Sequence, residues 1–151
     1  MKYVIAGLVL VLGMHAETAF AAKQKMVLMP ISGTLLTADE KQQVAEKLAA
    51  ALSKKYEVVQ GGEVNAYVEK VFREENRKKD CDADECYRKI SKHYSAPLIT
   101  VFNIVKSGEG EYQLFLKYVN VAENSAVTGP KAVCKDCSSG KLAETAAGLV
   151  E

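Results

Sequence analysis

The residues best suited to chemistry in this sequence are four cysteines in two close pairs, Cys81/Cys86 and Cys134/Cys137. Cys134-Lys135-Asp136-Cys137 is a CxxC ahead of a helix-forming stretch, and the cation of Lys135 would favour a thiolate there. That is the chemistry of a thiol-redox protein. Against it, the motif follows a strand late in the chain instead of sitting in the first strand-helix unit, no Trp precedes it, and no strand with a cis-Pro is evident. The CxxxxC and CxxC pairs could also make a tetrahedral zinc site. The third reading is disulfides, which an even cysteine count supports in an exported chain. Three connectivities are open. Local pairing is preferred because each pair flanks a turn, and so short a loop closes at little entropic cost and adds little stability. Cross-pairing would instead staple a helix to the sheet. Haem attachment is disfavoured, since the residue after the CxxC is Ser138 and not His.

Other constellations are weaker. The two histidines are His15 and His93. His15 falls in the leader described below, so the mature chain has one His and little room for a Ser-His-Asp or Cys-His mechanism. His93 reads as a helix-end cation or a packed side chain. Asp80, Asp82, Asp84 and Glu85 surround the first cysteine pair, but a calcium loop begun at Asp80 would place Glu85 and Ser91 where Gly and Glu are needed. Gly108-Glu109-Gly110 lies between strands, which makes it a hairpin loop and not a phosphate cradle. Ser138-Ser139-Gly140-Lys141 lacks the order of a P-loop. Met26 and Met29 read as core filler. No catalytic, cofactor or metal residue is assigned.

The amino terminus gives the compartment. Lys2 supplies a positive n-region, Tyr3 to Leu12 is an uncharged apolar run, and Ala19-Phe20-Ala21 is an A-x-A site, the three parts of a secretory signal peptide. Residues 1–21 are expected to be removed, leaving 22–151 as a single domain. The uncharged stretch is short for a membrane span, and no Cys before Cys81 could carry a lipid. The location is therefore periplasmic or secreted, with no integral membrane segment after removal of the leader. The formal net charge is +1 and only 7% of residues are aromatic, with no Trp. That excludes a polybasic nucleic-acid binder and an aromatic stacking platform.

The positioning elements follow from periodicity and punctuation. Met26 to Ile31 is a buried strand. Thr37 and Glu40 have capping-box spacing, and Val44, Leu48, Ala51 and Leu52 then recur on one helical face up to Lys54-Lys55. Tyr56 to Val59 is a short strand stopped by Gly61-Gly62. A second helix starts at Glu63, with Val64, Tyr67, Val68, Val71 and Phe72 inward, and its charged continuation Arg73 to Asp80 reads as a solvated helix end and loop. Asp82 and Glu85 cap a third helix that buries Cys86 and Ile90, with Tyr87 and Tyr94 alongside, and ends at Ala96-Pro97. Leu98 to Val105 and Tyr112 to Val121 are strands joined by a hairpin loop. Ala126 to Val133 is another, bent or begun by Gly129-Pro130. Leu142 to Leu149 is a weak Ala-rich helix. The order is β-α-β-α-α-β-β-β-α. The expected fold class is α+β: a mixed sheet of about four to five strands with helices packed mainly on one face.

This arrangement resembles the small periplasmic α/β domain of the TolB amino-terminal and CsgG-like group, whose fold is similar to that of penicillin-binding-protein activators of the LpoB type. The carrying features are the first strand ending MPIS, the capped helix with V-x-x-x-L-x-x-x-L spacing, the strand YEVVQ, and the segment CDADECYRKIS ahead of Ser95 to Val101. Leu114 to Val121 then follows as a patterned strand, with Asn120 where the group commonly has Asp. The resemblance spans Met26 to about Glu144. The chain lacks the propeller, transmembrane hairpins and lipid anchors found in these relatives, so pore formation is not implied. The resemblance implies a non-catalytic domain that docks onto another envelope protein.

The late strands are apolar on both faces: Leu114, Leu116 and Tyr118 alternate with Phe115, Val119 and Val121. A helix layer covers one face, and the other face or an open edge is left for a partner, a second copy, or the last helix. The combined expectation is a periplasmic interaction or adaptor domain of an envelope assembly, held by two disulfides, without catalysis or cofactor. The alternative is a thiol-redox or metal-handling protein built on Cys134 and Cys137.

Overall fold

The structure, a computed structural model, describes residues 22–77 and 83–150. The expected leader, Cys81 and the cap at Asp82 lie outside the described residues. The fold is α+β, with a mixed five-stranded sheet in the order β2-β1-β3-β4-β5. The strands are β1 (Lys25–Leu28), β2 (Glu57–Val59), β3 (Leu98–Gly108), β4 (Glu111–Asn120) and β5 (Ser125–Lys135). The helices are α1 (Ala38–Leu52), α2 (Gly62–Glu75), α3 (Ala83–Tyr94) and α4 (Ser139–Gly148). This is the element order expected from the sequence. β1 pairs parallel with both β2 and β3, and β3-β4-β5 form an antiparallel meander.

Local chemistry sets the boundaries. Thr37 caps α1 reciprocally: Glu40 N–H donates to the Thr37 hydroxyl, and Thr37 N–H donates to the Glu40 carboxylate at 2.8 Å. α3 ends with Ser95 at φ 51, where Ala96 N–H donates to Ser91 O and Ser95 N–H to Lys92 O. These two bonds are a Schellman closure, built here without the usual glycine. The β3-β4 turn is Glu109-Gly110, with Gly110 at φ 68.

Layering departs from the expected one-sided arrangement: two helices lie on each face. α1 covers one face together with α4, burying Met26, Leu28, Phe102, Leu114, Leu116 and Cys134 beneath Leu48, Leu52 and Ala146. α2 and α3 cover part of the other, where Val27, Ile99 and Val119 meet Val68, Val71 and Ile90. The reason is handedness. From β1 the chain crosses one way to β2, then returns past β1 to β3. Two right-handed crossovers running in opposite directions place their helices on opposite faces.

α1 and α4 run side by side in the same direction. Ser139 Oγ donates to Glu40 Oε1 at 2.8 Å near their amino ends, and Lys55 Nζ donates to Val150 O at 2.9 Å near their carboxyl ends. Buried Ala49, Ala143 and Ala146 allow the two backbones to approach closely. The charged run after Phe72 is not wholly solvated. Glu75 is only 2% exposed and pairs with Lys89 of α3. An ion pair therefore ties α2 to α3 where the pattern of mixed charges indicated a free helix end.

Candidate functional site

The cysteines separate across the sheet. Cys134 ends β5 on the α1/α4 side and is 2% exposed. It is bonded to Cys137 across a Cα–Cα distance of 5.9 Å. Cys86 is buried in α3 on the opposite side, among the α2/α3 core residues. The sheet stands between Cys86 and Cys134, so neither cross-pairing nor a four-cysteine zinc site can use both. The pairing of Cys86 with Cys81 lies outside the described residues. Among the described residues no three Cys, His, Asp or Glu side chains stand close enough to share a metal ion.

The Cys134–Cys137 bond closes the link between β5 and α4. Asp136 within it takes φ 48, and its N–H donates to Gly110 O at 2.8 Å, which fastens the link to the β3-β4 turn. Ser138 follows as the cap of α4, its hydroxyl accepting from Lys141 N–H. The motif thus joins three elements and holds its first sulfur inside the core, which suits a clamp better than an exposed dithiol. His93 is an exposed residue in the last turn of α3, where its ring stacks on Tyr67 with centroids 3.8 Å apart and Tyr94 meets both edge-on.

A groove of about 560 Å³ opens at the carboxyl ends of β1 and β2, between the first turns of α1 and α2. Among the described residues lining it, the charged ones are Lys41, Glu46 and Glu69. It contains neither Cys nor His.

The remaining feature is a half of the sheet that no element among the described residues covers. β3 and β4 run past the end of β1, and with β5 they form a three-stranded extension. On the α1/α4 side this extension buries Phe102, Leu114, Leu116 and Cys134. On the other side α2 and α3 stop short of it. The register identifies what is left bare. Ile99 pairs with Val119 under α2 and α3. Because side chains alternate along a strand, Asn103 and Val105 of β3 share that face with Gln113, Phe115 and Lys117 of β4. On β5 the register adds Lys131 opposite Phe115 and Val133 opposite Gln113. Val105 is 51% exposed and Val133 54%. Lys131 Nζ sits 5.6 Å from the centre of the Phe115 ring, and Lys117 Nζ sits 5.8 Å from that of Tyr87. Glu111 closes the outer end. The Ser107 hydroxyl donates to it at 2.9 Å and Lys135 lies 3.4 Å away, which together hold its carboxyl below the ordinary value of 4.5.

β5 is an edge strand, and its open side is guarded. The β4-β5 register slips between Phe115 and Lys117, where Gly129-Pro130 inserts a bulge. Pro130 offers no N–H, and a bulge with adjacent lysines discourages strand addition. Sequence reasoning had located the apolar alternation of β4. It missed which half would be bare, because that depends on how far β3 and β4 outrun β1.

No protein-family model matches this chain, and no curated protein sequence does. Solved structures resemble it in fold. The lipoprotein GNA1162 from Neisseria meningitidis superimposes with a TM-score of 0.52 at 15% identity, covering 83% of this chain and 93% of that one. The LpoB C-terminal domain from Salmonella enterica gives 0.51 at 13% identity, covering 78% and 87%. A looser likeness, 0.46 at 7% identity, is to TolB from Acinetobacter baumannii, covering 85% of this chain and 27% of that one. The fold expected from the sequence is thus the fold of an LpoB C-terminal domain and of a bacterial lipoprotein.

Proposed function

We propose that this chain is an exported, non-catalytic docking domain of a bacterial envelope assembly, with residues 1–21 removed as a signal peptide. The observation that carries this reading is the bare half of the sheet, where Val105, Phe115 and Val133 form an apolar centre among polar side chains on an extension whose opposite face packs Phe102, Leu114 and Leu116 against the α1/α4 core. Val105 and Val133 lie in one cross-strand row beside Phe115, so their exposure is contiguous, and a contiguous apolar patch rimmed by polar residues is the form an interaction site takes. The likeness in fold to a lipoprotein and to an LpoB C-terminal domain supports an envelope setting, as does the pattern of the leader. The Cys134–Cys137 bond fits the oxidising compartment and acts as a structural clamp.

The test is site-specific photo-crosslinking in the producing cell, with the probe at Val105 or Val133 and a control at Lys47 on α1. Docking predicts an adduct with a protein at the sheet positions and none at the control. Absence of adducts from every position counts against it. The thiol-redox alternative predicts turnover of a dithiol substrate that disappears in Cys137→Ser. Such turnover would displace the docking reading.

A further inference from the structure

We infer that the bare half-face binds an acidic, apolar-centred surface of another protein. This rests on the docking reading above and adds the chemistry of the partner. At the middle of the face Phe115 stands beside Lys131, in a cross-strand row with Asn103. The next row outward is Val105, Gln113 and Val133. The next row inward carries Lys117 between Val101 and Thr128. The apolar centre is therefore flanked by two ammonium groups. Both rest near aromatic rings, and neither meets a carboxylate among the described residues. Among the described residues of these strands the face has one carboxylate, Glu111, already engaged by Ser107 and Lys135. At the rim next to α3, Asp84 and Arg88 carry opposite charges and line a small recess with Val119 and Ala126.

The same charges argue against a second copy as the occupant. A two-fold contact would bring the patch onto itself, and Lys117 and Lys131 of each chain would face like charges over a desolvating apolar centre. Strand addition at β5 is opposed by the Gly129-Pro130 bulge. A partner presenting Asp or Glu around aliphatic or aromatic side chains would satisfy both lysines and cover the valines and Phe115. Such complementarity sets specificity and the rate of encounter more than raw affinity.

The test uses two synthetic peptides, one alternating Glu with Val and Phe, the other with Lys in place of Glu. Binding is read by fluorescence anisotropy, and the location by amide shifts in an NMR spectrum of the mature chain. The acidic peptide should bind at least about tenfold more tightly at low salt, with the preference shrinking as salt screens the charges. The shifts should centre on Val105, Phe115 and Val133. The double variant Lys117→Glu/Lys131→Glu should reverse the preference while keeping the wild-type melting temperature within a few degrees. Equal binding of the two peptides, binding of neither, or shifts centred elsewhere would overturn the inference. Crosslinking at Val133 separates it from the docking reading. A partner adduct unchanged in the double variant defeats the acidic assignment alone, as does an adduct between two copies of the chain. No adduct in the wild-type protein defeats docking itself.

Discussion

Replacing Gly129 by Ala is the sharpest test of the β5 bulge. A Cβ built at Gly129 would lie 2.8 Å from Tyr118 Cε2, 2.9 Å from Leu116 O and 3.2 Å from Leu116 Cβ. The Tyr118 ring is packed against the α1/α4 core, so it has little freedom to swing aside. Leu116 O belongs to the backbone of a central strand and cannot retreat without distorting the ladder. Overpacking of this kind costs about 1–3 kcal/mol. For a domain of this size that is a fall in melting temperature of roughly 4 °C per kcal/mol. The control is Gly148→Ala. No atom lies within 4 Å of that Cβ, and the position ends α4, where Ala replaces the poorest ordinary helix former. It should raise stability by up to about 1 kcal/mol. Both variants are measured by thermal and urea unfolding with the disulfide intact. Equal midpoints for Gly129→Ala and the wild type would refute the close approach at the bulge.

Leu142→Ala should cost about 2–5 kcal/mol in urea unfolding, because its side chain is 2% exposed between α4 and the sheet. Ser95→Gly should gain roughly 0.5–1 kcal/mol, seen as a raised unfolding midpoint, because it relieves a left-handed serine at the end of α3. Stability should fall on acidification. The carboxyl of Glu40 is held below its ordinary 4.5 by bonds from Thr37 N–H and the Ser139 hydroxyl, and that of Glu111 by Ser107 and Lys135. A carboxylate with a lowered folded-state pKa stabilises fully above its unfolded value and ceases to do so as pH falls through the folded one. Unfolding midpoints should therefore drop below about pH 4.5, with a smaller drop in Glu40→Gln.

The best-read parts of the sequence were those where one residue type has one physical reason to be present. Thr37 with Glu40 announced the start of α1, and Gly129-Pro130 marked a bend that proved to be a bulge inside β5. The cysteine clamp was legible as a local pair. α4 looked weak because alanines carry little hydrophobic signal, yet small side chains are what allow it to lie against α1. Glu75 was hidden in a run of mixed charges, since its partner Lys89 lies on a different helix. The bare half-face depended on strand lengths relative to a third strand, a property of the whole sheet that no local pattern carries.

The side-by-side course of α1 and α4 bears on when this domain can form. Glu40 meets Ser139 across 99 residues of chain, and Lys55 meets Val150 across 95. The core beneath α1 draws Phe102, Leu114, Cys134 and Leu142 from the later part of the sequence. A chain delivered amino end first can therefore make its first helix early but cannot bury that helix's apolar stripe until α4 arrives. Contacts of such long range form late and slowly. The consequence is a division in time between the two layers: the buried core of the α2/α3 layer lacks only Val119 once β3 is made, whereas the α1/α4 layer closes only when the last helix is in place.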